Sequence, residues 1–117
     1  MREFKKMEVW QKSRRLTVAI YSLTDTFPKK EQFRLTDQLC RAVVSIASNI
    51  AEGASRRSET DFHRFLEIAL GSTNEVECHL IIANDLGYIH DSLFNSLNNE
   101  VNHTRAMLLN YMKSVRS

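Results

Sequence analysis

Ser45-Ile46-Ala47-Ser48-Asn49-Ile50-Ala51-Glu52-Gly53 is the stretch that decides the fold. With the residues before it, it lays two adjacent apolar lines at helical spacing: Leu39, Val43, Ile46 and Ile50 on one, Cys40, Val44, Ala47 and Ala51 on the other. A surface helix ordinarily carries one apolar stripe and a charged back. A helix apolar over so much of its circumference needs two things to pack against, its own bundle on one side and another subunit or a partner on the other. Val44, Ala47 and Ala51 are therefore the candidate oligomer interface. Gly53 reads as the helix stop, and Arg56, Arg57 and Ser58 follow it at once.

Outward from this helix, three glycines and one proline in 117 residues leave room for only a few long elements. The spacing predicts a first helix from about Glu8 to Asp25, with Val9, Ser13, Leu16, Ile20 and Leu23 on its inner line and Phe27-Pro28 as its stop. Thr36 is the expected cap of the second helix, which should end near Glu52. Ser58, with Asp61 three residues on, approximates a capping box. It opens a third helix carrying Phe62, Phe65, Leu66, Ala69, Leu70, Val76, Leu80 and Ala83, which closes at Leu86-Gly87. After Asp91 a near-heptad seam runs through Leu93, Leu97, Val101, Thr104, Leu108, Tyr111 and Val115. Short connections between long helices favour antiparallel neighbours. The expectation is an all-α chain, one domain over residues 1–117, folded as an up-down-up-down antiparallel four-helix bundle.

Composition narrows the function. No window approaches the roughly 20 uninterrupted apolar residues of a membrane span, and no signal-peptide core stands behind Met1-Arg2-Glu3-Phe4-Lys5-Lys6. A soluble, cytoplasmic protein with no membrane partner is expected. Cys40 and Cys78 stand alone in helical patterns and read as small core residues rather than a disulfide or zinc pair. A di-metal bundle site needs Glu-x-x-His on two helices, and Glu100-x-x-His103 is the one such pair in the chain. His63, His79 and His90 read as surface or capping residues. Gly53, Gly71 and Gly87 are isolated, so there is no phosphate-cradling loop. No serine lies in a nucleophile elbow either. The sequence points away from an enzyme, with no metal and no cofactor.

Asn49 and Glu52 sit three apart on the small-residue helix. Buried there, they need partners, which Ser45, Ser48 or Glu75 can supply. A structural polar layer of Ser45, Asn49, Glu52 and Glu75 that fixes register is the reading taken, with a ligand site as the other meaning. Charge is uneven along the chain. Residues 1–34 hold nine Lys/Arg against four Asp/Glu, residues 67–100 hold six acids and no Lys or Arg, and residues 101–117 carry a net +3. In an antiparallel bundle the start of the first helix meets the connection between the second and third. Lys5, Lys6, Lys12, Arg14 and Arg15 would then join Arg56, Arg57 and Arg64 in a basic pole, with the acidic stretch covering the far half. Such a pole either attracts phosphate backbones regardless of sequence, with Trp10 and Phe4 as stacking faces, or is a solvated surface, the commoner meaning of a charge run.

Val9-Trp10-Gln11-Lys12, Phe27-Pro28, Leu35-Thr36-Asp37-Gln38-Leu39, the stretch from Ser45 to Gly53, Phe65-Leu66-Glu67-Ile68-Ala69, Gly71-Ser72 and Leu86-Gly87-Tyr88 together carry a resemblance. The chain is similar, over most of its length, to the small bacterial four-helix-bundle proteins first noticed in intervening sequences of 23S ribosomal RNA genes. The resemblance implies a homopentamer arranged as a ring or barrel. It also implies kinship with the accessory variability protein of diversity-generating retroelements, a basic pentamer that works with a reverse transcriptase and nucleic acid. The family has no established activity. Two positions depart from its pattern: Ala47 stands where proline is usual and should leave the helix straighter, and Arg34 stands where glycine is frequent and adds positive charge. The function expected is that of a non-enzymatic oligomeric adaptor whose partners are further copies of itself and RNA or a nucleic-acid-processing protein, with Arg56 and Arg57 as foremost contacts. The alternative is a protein-binding scaffold without nucleic-acid binding.

Overall fold

The periodicity becomes four helices: α1 Glu8–Thr24, α2 Leu35–Ala54, α3 Glu59–Asp85 and α4 Asp91–Ser114, with 3-10 turns at Phe4–Lys6 and Lys29–Glu31. They belong to a computed structural model that describes residues 1–115; Arg116 and Ser117, the end of the basic C-terminal segment, lie outside the described residues. No strand occurs among the described residues, and the fold is all-α.

Each helix buries most of the line that its spacing predicts, with Phe65 and Leu70 of α3 and Leu93 and Tyr111 of α4 only half-buried. Val9, Ser13, Leu16, Ile20 and Leu23 of α1 are buried, as are Leu39, Val43, Ile46 and Ile50 of α2. Phe62, Leu66, Ala69, Val76, Leu80 and Ala83 of α3 join Leu97, Val101 and Leu108 of α4 in the same hydrophobic core. Burial of these side chains, at about 1.5–3 kcal/mol for each large one, is what holds the helices together. α2 packs most closely on α3, while α1 and α4 meet more loosely. Partner residues run in reversed order between neighbours. Thr17 Oγ1 donates to Val43 O at 3.3 Å, and Thr24 Oγ1 lies 3.5 Å from Cys40 Sγ. Ser45 likewise meets Ser72 at 2.9 Å while Gly53 abuts Phe62. Phe62 meets the Tyr111 ring at 5.9 Å, and Asn84 meets Asp91 at 3.0 Å.

Helix ends follow local chemistry. The Ser58 hydroxyl accepts from Asp61 N–H at 3.0 Å and caps α3. α3 closes in a Schellman turn, with Tyr88 N–H donating to Ala83 O at 2.9 Å and Gly87 N–H to Asn84 O at 3.0 Å. Gly87 supplies the positive φ of 79° that this cap requires. His90 caps α4 by accepting from Leu93 N–H at 3.3 Å through Nδ1.

Several expectations from the sequence need correction. Thr36 does not cap α2, which starts at Leu35 behind Arg34 with φ -119° and ψ -109°. The Leu35 N–H is taken instead by Glu31 Oε1 at 3.4 Å. Gly53 does not stop α2, which runs on to Ala54; it provides clearance, because a Cβ there would stand 2.7 Å from Phe65 Cβ and 2.9 Å from Phe62 Cδ1. Cys78 is exposed, whereas its neighbour His79 is 9% exposed. The phase of α3 decides both, since His79 falls on the buried line with Val76 and Ala83. No helix among the described residues is long and apolar enough to cross a membrane.

Candidate nucleic-acid interface

The first residues of the chain are pinned against the connection between α2 and α3. Arg2 N–H donates to Ala54 O at 2.8 Å. The Arg2 guanidinium pairs with Glu59 at 2.8 Å and lies 4.3 Å from the centroid of the Phe62 ring. Hydrogen bonding to Glu59 raises the Arg2 pKa above its ordinary value. This anchor brings Lys5 and Lys6, in the Phe4–Lys6 turn, to the same end of the molecule as Arg56, Arg57 and Arg64. Nothing in the sequence pattern marks Arg2, whose partner lies far along the chain.

The cations differ in availability. Lys5, Lys6 and Arg57 are exposed and form no ion pair among the described residues. Arg56 pairs with Glu52 at 3.3 Å and lies 4.9 Å from the Phe65 ring centroid. Arg64 pairs with Asp61 at 3.5 Å and lies 4.6 Å from the same centroid. Arg64 is exposed and Arg56 half-buried with its Nε covered, and a guanidinium has five donors, more than one carboxylate uses. Lys12, Arg14 and Arg15 lie one to two turns down α1. Lys12 reaches α4, where its ammonium holds both oxygens of Glu100, Oε1 at 2.9 Å. That contact lowers the Glu100 pKa below the usual carboxylate range and ties Lys12 to a structural role. Arg14 lies 5.2 Å from the Trp10 ring centroid, and Trp10 meets Phe4 edge-on at 4.9 Å. Arg15 is exposed at the rim of a 250 Å³ cavity beside Leu16 and Ala19.

The opposite end is not uniformly acidic. Tyr88, just beyond α3, donates its hydroxyl to Glu31 at 2.7 Å, which brings the connection carrying Lys29, Lys30 and Arg34 to that end. The acids of residues 67–100 therefore share the far half with three exposed cations.

The polar contacts of α2 are narrower than expected. Asn49 Nδ2 donates to Ser45 O at 2.8 Å and to Ser45 Oγ at 2.9 Å, and Ser72 Oγ donates to Ser45 Oγ at 2.9 Å. Glu52 faces outward to Arg56, and Glu75 is exposed beside Asp37 and Arg41 at the rim of a shallow cavity. The connected set is thus Ser45, Asn49 and Ser72, because Glu52 falls on the solvent side of the helix and a carboxylate gains more there than inside. Val44 is exposed, whereas Ala47 and Ala51 are half-buried. Val44 shares an open groove of 430 Å³ with Tyr21, Arg41 and Ser48.

The sequence profile of 23S rRNA-intervening sequence proteins matches residues 5–110. The chain belongs to this family. Its fold is similar to the crystal structure of a protein of unknown function from the S23 ribosomal protein family of Bacteroides thetaiotaomicron VPI-5482. That likeness has a TM-score of 0.84 and 30% identity, and covers 90% of this chain and 95% of the other. No curated protein matches it. In this 23S rRNA-intervening sequence protein, α2 runs without a break through Ala47. The turn before α2 is made without a positive φ at Arg34.

Proposed function

We propose that this 23S rRNA-intervening sequence protein is a non-enzymatic, cytoplasmic adaptor that binds RNA or a ribonucleoprotein through its basic pole. The carrying observation is that Lys5, Lys6 and Arg57, distant in sequence, are exposed and free of ion pairs among the described residues, at one end of the fold. Unpaired cations gain most from phosphate, because binding releases counterions without first breaking a salt bridge. Arg56 and Arg64 flank them on Phe65. The reversed order of helix contacts supports an up-down-up-down antiparallel bundle. The family resemblance supports assembly as a homopentamer, with Val44, Ala47 and Ala51 at the subunit contact.

Fluorescence anisotropy with labelled RNA over a range of salt concentrations tests the reading. Lys6→Glu with Arg57→Glu should weaken binding for all sequences alike and flatten the salt slope by about 0.7 for each single-strand phosphate that is no longer neutralised. Unchanged affinity and slope would refute the assignment. A protein-binding scaffold is the second reading. It is favoured by Val18, Tyr21 and Val44, which are 63%, 48% and 37% exposed on adjoining surfaces of α1 and α2. It predicts that the purified protein carries no nucleic acid removable by high salt.

A further inference from the structure

The Lys29–Leu35 connection presents an exposed aromatic ring on a rigid base, and it lies outside the basic pole. Phe33 is 86% exposed, more than any other aromatic side chain among the exposed large hydrophobics. Its surroundings are not loose. Phe27 and Leu35, on either side, are buried in the core, and Phe27 meets the Tyr88 ring at 5.5 Å. Glu31 is 7% exposed and turned inward, accepting from Tyr88 Oη at 2.7 Å and from Leu35 N–H at 3.4 Å. Backbone bonds from Glu31 N–H to Pro28 O at 2.9 Å and from Arg34 N–H to Glu31 O at 3.0 Å close the turn beneath the ring.

The inward turn of Glu31 also sorts charge. With the one acid of the segment facing Tyr88, the side chains left outside are Lys29, Lys30, Gln32, Phe33 and Arg34. None of the three cations forms an ion pair among the described residues. Exposed cations around an unpartnered aromatic ring match the recognition of single strands, where phosphates meet Lys or Arg and an unstacked base lies on the ring. A duplex offers phosphates but keeps its bases stacked.

We propose that Phe33, with Lys29, Lys30 and Arg34, forms a stacking site for an unpaired base of single-stranded RNA, separate from the basic pole. The proposal rests on the RNA reading and adds the strand form that the protein prefers. The molecule is 43 Å long. The two contact regions lie at its opposite ends, so an extended strand meets both more readily than a short compact hairpin.

The test uses the full chain, a fluorescently labelled single-stranded RNA and a blunt RNA duplex of the same length, with anisotropy read at several salt concentrations. Phe33→Ala should weaken single-strand binding about 5- to 150-fold, the range of base–aromatic stacking, and leave the salt slope and duplex binding unchanged. Phe33→Tyr should retain binding. Lys29→Glu with Lys30→Glu should weaken binding and reduce the slope by about 1.4, the share of two neutralised phosphates. If Phe33→Ala binds single strands as the parent does while Arg57→Glu binds weakly, the stacking site is overturned and the basic pole stands. If the parent binds no RNA, both fall. A lower mass for Phe33→Ala in sedimentation with no loss of single-strand affinity would overturn the proposal in favour of an interface with a second copy.

Discussion

Two glycines in helical surroundings separate clearance from convenience. Adding a methyl group at Gly71 meets nothing within 4 Å, so Gly71→Ala should gain the helix propensity that alanine offers, about 1 kcal/mol. The same gain at Gly53 is outweighed. The new Cβ would press on Phe65 Cβ, which cannot swing aside without moving α3, and overpacking of this kind costs about 1–3 kcal/mol. Gly53→Ala should therefore unfold at lower denaturant than the parent and Gly71→Ala at higher, in paired urea titrations. The Tyr88–Glu31 bond is a pH-dependent tie. The phenol hydrogen bond lowers the Glu31 pKa, so its contribution is present above the ordinary carboxylate pKa and fades as acid reaches the lowered one. The same bond raises the Tyr88 pKa, so its contribution is present below the ordinary phenol pKa and is lost as alkali passes the raised one. Tyr88→Phe should narrow the stability difference between neutral and acid pH, measured by denaturant unfolding at each.

At the scale of the helix, phase was legible and ends were less so. Residues such as Ile20, Ile50, Leu66 and Val101 recur with a period that no other structure accommodates, and all four are fully buried. Ser58 was legible as a cap because its hydroxyl acts within its own turn. Thr36 misled because its competitor, Glu31, depends on a turn whose geometry no spacing rule contains. The basic cluster was legible as sequence but not as chemistry, since only the folded chain couples Lys12 to Glu100 or lays Arg56 on Phe65. Phe33 gave no signal, because an aromatic beside a helix start is ordinarily core. The outer face of α2 carries its own prediction. Ala47→Arg or Ala51→Arg should reduce the sedimentation mass while leaving helical circular dichroism close to that of the parent. An unchanged mass would assign that face to some other use.

At the scale of the molecule, charge is distributed by availability rather than by count. Formal charge is only +2, yet exposed cations without an ion pair among the described residues stand at both ends. Replacing Lys5 and Lys6 by glutamate should weaken duplex and single strand alike, whereas Phe33→Ala at the other end should weaken the single strand alone. Binding curves of the two RNA forms, measured side by side, check this. Trp10, the one tryptophan of the chain, stands beside Phe4 and Arg14 rather than at the centre of the core. Its emission therefore watches the N-terminal segment. A ligand arriving at that end would register without an attached dye. A melting curve followed by indole emission would record release of residues around Phe4, and its coincidence with the loss of ellipticity would mean that this segment unfolds with the four helices as one cooperative unit.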